Sequence, residues 1–154
     1  MNKTKAFAWL PLLAACAVSP AGLATPCAGT NINSTQTWSP SEVVKGVSVS
    51  ILKMASVIVS DDANAPFHLA AGECVGSFLL GADGKPTSGS GYCARKDKDG
   101  DTLHEEWTVI SPGKGTSKMA GGTGKFANAS WTYSWQHRPL HGPLAAVRWT
   151  GDCR

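Results

Sequence analysis

Beyond its first two dozen residues the chain has no long stretch of apolar residues at helical spacing, no internal repeat and no low-complexity tract. A helical bundle, a coiled coil and a solenoid are thereby excluded. It has no G-x-S-x-G elbow and no Walker spacing, so neither the hydrolase nucleophile nor the phosphate loop is present. It also lacks a charge excess. Of the 14 basic residues, Lys3 and Lys5 belong to the N-terminal segment, and the rest nearly balance 11 acidic ones. A nucleic-acid partner is not expected from such a balance.

What is present first is an export signal. Lys3 and Lys5 precede an apolar run over residues 6–18, too short to span a bilayer comfortably, followed by small residues up to Ala24. Cleavage after Ala24 makes residues 1–24 a signal peptide and sends the chain to the periplasm or the extracellular space. Leu13-Ala14-Ala15-Cys16 leaves a second fate open, a lipoprotein anchored to a membrane at Cys16. Residues 25–40, rich in Thr, Asn and Ser, read as an irregular lead-in, and residues 41–154 as one domain with a single core.

Four cysteines follow the signal: Cys27, Cys74, Cys93 and Cys153. An even number in an exported chain points to disulfides. Asp83-Gly84 is a favoured hairpin turn. If it is tight, Cys74 falls directly opposite Cys93 at a distance that suits a disulfide, and Cys27–Cys153 follows by elimination. The same arithmetic applied to Asp99-Gly100 sets Tyr92 opposite Trp107.

The fold class is all-β. Residues 42–60 alternate, with Val47, Val49, Ile51, Ala55, Val57 and Val59 on one face and serines on the other. Residues 74–80, 87–94 and 102–110 form a meander, residues 111–124 a glycine-rich connection, and 144–153 the last strand. Trp131, Tyr133 and Trp135 alternate with polar residues. An antiparallel up-and-down β-barrel of about eight strands is expected, with a β-sandwich as the alternative.

Site candidates are polar or aromatic residues on apolar faces. Glu105 shares a side with Leu103, Trp107 and Val109, to which the assumed pairing adds Tyr92 and Ala94. An interior carboxylate titrates high unless a cation pairs with it, and Lys53, the charge on the valine face, is the first choice for that cation, ahead of Arg148. Trp131, Tyr133 and Trp135 are read as core or pocket lining, with Trp149 opposite Trp131. The pocket candidates are thus Lys53, Tyr92, Glu105, Trp107, Trp131, Tyr133 and Trp135. The run Asp97-Lys98-Asp99-Gly100-Asp101 resembles half a calcium loop, but position twelve of such a loop would be Thr108, and the run reads as a solvated hairpin tip. His68, His104, His137 and His141 read as loop histidines. Neither a cofactor nor a metal is expected.

Residues 121–131, GGTGKFANASW, form a glycine-rich turn feeding a strand. Gly121, Gly122, Thr123, Gly124 and Phe126, with the basic Lys125, resemble the GGTG-aromatic turn of dirigent proteins and allene oxide cyclases. The resemblance implies an eight-stranded barrel with an apolar pocket, often trimeric, that steers a reactive ligand. The residues themselves support a non-catalytic exported barrel that binds a small apolar or aromatic ligand or serves as a structural module. Alternatives are the steering role and an envelope interaction or inhibitor protein. A homo-oligomer is compatible with each.

Overall fold

A computed structural model describes residues 25–153. The expected signal peptide and the alternative lipidation site at Cys16 both lie outside the described residues. Eight strands run in chain order: β1 Thr25–Val44, β2 Val47–Ser60, β3 Ala71–Leu80, β4 Pro86–Lys96, β5 Thr102–Ser111, β6 Lys114–Gly122, β7 Thr132–Pro139 and β8 Leu144–Cys153. Each pairs antiparallel with the next, and β8 pairs back onto β1, so the barrel is closed. Closure pairs the two terminal strands with each other from Thr25 to Ser34 and from Leu144 to Cys153.

Residues 25–40 are therefore not an irregular lead-in. They form most of β1, which pairs with β2 from Gly29 to Val44 and with β8 from Thr25 to Ser34. Likewise the glycine-rich connection after residue 111 contains β6. Strand composition is a weak guide here because ladder pairing, not propensity, holds these segments extended.

Both Asp-Gly turns are three-residue loops with glycine in the left-handed region, Gly84 at φ 72° and Gly100 at φ 88°. In the first, Gly81 N donates to Lys85 O at 3.0 Å, which moves the register by one from that of a two-residue turn. A bulge at Thr87, whose hydroxyl donates to Leu79 O, moves it back, and Cys74 faces Cys93. In the second, Asp97 N donates to Asp101 O at 3.0 Å and no bulge within β4–β5 follows. Gly91, not Tyr92, therefore faces Trp107, and Tyr92 pairs with Glu106.

Two disulfides are formed, Cys74–Cys93 within a hairpin and Cys27–Cys153 across the β1–β8 seam. The seam bond links residues 126 apart in sequence, and the chain-entropy model assigns such a long loop about 4 to 5 kcal/mol. Disulfides of this kind indicate an oxidising, exported setting.

The valine face of β2 points outward. Ser50, Leu52, Ser56, Ile58 and Ser60 are buried in the barrel, whereas Ile51 is 54% exposed. Small serines leave room for the rings that enter from the opposite strands. One end of the barrel is filled by Phe67 from the β2–β3 loop, Phe126 from the short 3-10 turn Gly124–Phe126, and Leu103, Met119, Trp131, Tyr133 and Trp149. The other end carries the β3–β4, β5–β6 and β7–β8 turns and stays open.

The GGTGKF turn is part of the closed end. Gly121 and Gly124 have positive φ, and a Cβ on Gly124 would overlap the Asp101 carboxylate. Lys125 N donates to that carboxylate, and Lys125 Nζ reaches both Asp97 and Asp99 at 2.5 Å. The lysine thus takes the place in the acidic hairpin that a cation would occupy. It holds both aspartates below their usual pKa, and they raise its own.

Candidate functional site

Above the plug lies a cavity of about 650 Å³ that opens between the turns. Trp38, Leu52, Met54, Phe78, Trp107, Val109, Trp135 and Val147 supply its apolar wall. Its rings lie flat for a definite reason. A Cβ on Gly76 or Gly91 would stand 2.3–2.4 Å from the Trp107 ring, and one on Gly115 would stand 2.1 Å from Trp135. Glycine in the wall lets each indole lie against the sheet and leaves the centre free. Phe78 stacks on Trp107 at 5.4 Å and tilts against Trp38 at 5.3 Å.

The polar floor is built around Arg95 and Glu105. These project inward from β4 and β5, form a salt bridge, and are 1% and 4% exposed in their side chains. Arg95 Nε and Nη2 also donate to Ser56 Oγ at 3.2 and 3.0 Å, and Nη2 donates to the Cys74 sulfur at 3.4 Å. Tyr133 lies beside them, and burial, then the Glu105 carboxylate, pushes its phenol well above the ordinary value. Asn31 accepts from Trp149 Nε1 at 3.0 Å. Asn33 Oδ1, Trp107 Nε1 and Ser117 Oγ have no hydrogen-bond partner among the described residues, and all three side chains belong to cavity-lining residues. Desolvation lowers the pKa of His137 near the mouth.

Of the residues singled out from sequence, the structure brings Glu105, Trp107, Tyr133 and Trp135 together around the cavity. Trp131 is placed instead in the plug against Phe67, and Trp149 faces Trp135 rather than Trp131. Two candidates are corrected outright. Lys53 lies on the outer face of β2 and pairs with Glu73 at 3.0 Å, because the face of β2 that carries it points away from the lumen. Tyr92 is 64% exposed, because the three-residue turn moves it to the other side of β4. Ala94 is exposed with it. Arg148 pairs with Asp61 outside the barrel. The cation that serves Glu105 is Arg95, which sequence reasoning missed. A signal was available: Arg95 lies two residues after Cys93, so a disulfide on the inner face carries Arg95 inward as well.

The histidines do not converge. His68 contacts Ser60 O in the β2–β3 loop, His104 is exposed, and His137 lies at the opposite end. Among the described residues no three metal-ligating side chains cluster.

No family model matches the chain, and no curated protein does. Among solved structures, a pterocarpan synthase dirigent protein is similar, with a TM-score of 0.49 and 14% identity, covering 92% of this chain and 97% of that one.

Proposed function

We propose that the barrel is an exported binding protein that takes a small, mainly apolar or aromatic ligand into its lumen and performs no reaction of its own on it. The observation that carries this reading is a continuous cavity of about 650 Å³ reaching down to Glu105. A volume in this range suits a drug-sized ligand, and an apolar wall with few convergent polar groups is the usual make-up of such sites. A structural module would gain nothing from glycines that hold indoles flat and keep the centre open. A protein that worked only through surface loops would be better served by a filled barrel. Steering of a reactive ligand would use the same cavity, and stereoselective product from an achiral precursor would single it out.

Native mass spectrometry of protein purified from its own cell envelope tests the reading. A retained small molecule is expected, and it should be lost in Ala145→Trp, which fills the cavity from β8 while the circular dichroism stays that of the wild type. Identical ligand-free masses for both proteins, with no binding of apolar compounds by either, would refute it. The same spectrum reports whether Cys16 carries lipid.

A separate observation favours self-association. Ile51, Val59, Ile32, Val75 and Leu79 are exposed large apolar residues on neighbouring strands β1–β3. An outward face of this kind is characteristic of a subunit contact, and we infer that a second copy covers it. Ile51→Lys with Val75→Lys is expected to shift the protein to monomer in light scattering. A wild type that is already monomeric at high concentration would sink this inference.

A further inference from the structure

The ionisable side chains that line the cavity are those of Arg95, Glu105, Tyr133 and His137. Arg95 and Glu105 are committed to each other as a buried salt bridge, so their charges cancel within the lumen. Arg95 Nε and Nη2 donate to Ser56 and to the Cys74 sulfur. Tyr133 is held protonated, and desolvation favours the neutral form of His137. Among the described residues a bound ion therefore finds no free counter-charge.

The other polar groups of the lining are uncharged. Trp107 and Ser117 are direct cross-strand partners on β5 and β6. Asn33 comes from β1, on the far side of the closed barrel. Each carries a buried polar atom that has no partner among the described residues. The Asn33 carbonyl can only accept, the Trp107 indole N–H can only donate, and the Ser117 hydroxyl does either. These atoms are covered by their neighbours and do not border the free volume of the cavity.

Resting on the reading of the lumen as a ligand site, we propose that the cavity selects uncharged ligands, a flat apolar ring bearing a neutral polar group such as a primary carboxamide. The carboxylate and the ammonium of the same skeleton are excluded. Either ion would have to shed its hydration with no opposite charge free to replace it. A carboxylate would have to compete with Glu105 for Arg95, and an ammonium with Arg95 for Glu105. The amide gives up less on leaving water. In this account Glu105 sets selectivity by neutralising Arg95.

Calorimetric titration of the exported, disulfide-bonded chain at pH 7 tests the proposal with three isosteric probes: 2-naphthamide, 2-naphthoate and 2-naphthylmethylammonium. The wild type is expected to bind the amide at least tenfold more tightly than either ion. Glu105→Gln, which frees the Arg95 charge, is expected to move the naphthoate-to-amide affinity ratio at least tenfold toward the carboxylate. If that variant does not fold, the wild-type comparison decides alone. Naphthoate or the ammonium binding as tightly as the amide would overturn the selectivity and leave the cavity reading standing, since ligands would still enter. No binding of any of the three would overturn both.

Discussion

Separating Arg95 from Glu105 is the most informative perturbation of this barrel. The two side chains are 1% and 4% exposed, so solvent screening does little to soften the loss of either. Removing one partner of a buried pair leaves the other as an uncompensated charge, at about 3 to 5 kcal/mol. For Glu105→Gln the lower end applies, because Gln still offers an acceptor and Ser56 still holds Arg95 at 3.0 and 3.2 Å. About 3 kcal/mol is a large share of the roughly 5 to 15 kcal/mol that stabilises a typical domain. Arg95→Met should cost about as much or more, since it also leaves Ser56 unpaired. The double variant Arg95→Met/Glu105→Gln buries no charge and is expected to be less destabilised than either single one. Urea denaturation with the disulfides intact gives the cycle, and a coupling of at least about 2 kcal/mol is expected. Additive single effects, each under about 1 kcal/mol, would show that the pair is solvated and that the polar floor described above does not exist.

Other outcomes follow from the same geometry. Gly91→Val places a side chain where a Cβ already meets Val75 O at 2.2 Å and the Trp107 ring at 2.4 Å, so about 1 to 3 kcal/mol of overpacking is expected, with a change in tryptophan fluorescence; an unperturbed spectrum and stability would mean that Trp107 does not lie against the wall. Lys125→Met should lower the melting temperature at pH 7 and have less effect at pH 2.5. The lowered pKa values of Asp97 and Asp99 mean that their stabilisation is present above the unfolded aspartate value of about 4 and fades as pH falls; an equal effect at both pH values would contradict the Lys125 clamp. Tyr133, one of two tyrosines, has a raised pKa. Its contribution is complete below the unfolded value of about 10 and is lost as pH rises beyond it. Absorbance at alkaline pH should therefore develop the Tyr133 signal only with unfolding, and Tyr133→Phe should flatten the loss of stability; early, reversible ionisation of both tyrosines would refute the burial.

The barrel is legible in the sequence because alternation and turn residues are local signals. The β2 pattern has the right period, yet its sign is a tertiary property. Val47, Val49 and Ile51 point out, and serines point in, because large rings from other strands already occupy the lumen. Turn chemistry is similarly half-readable. Asp-Gly marks both hairpins correctly, but loop length decides the register. At Cys74–Cys93 two deviations, the longer loop and the Thr87 bulge, cancel. At Tyr92–Trp107 there is a single deviation, and a one-residue slip moved Tyr92 to the outer surface. That slip also hides Arg95, so the pattern alone offers Lys53 as the cation for Glu105. The length of β1 was not legible, since its Thr, Asn and Ser residues are held extended by β2 and β8 rather than by their own preference. Asn33, Ser50 and Ser56 are polar residues that only the closed barrel identifies as interior.

The most direct test of the lumen as a ligand site is a crystal structure of the oxidised chain soaked with a brominated 2-naphthamide. An anomalous bromine peak is expected inside the barrel between Trp107 and Trp135, with the amide directed toward the Arg95–Glu105 floor. A lumen filled by its own side chains, with bromine bound only on the outer surface, would contradict the account.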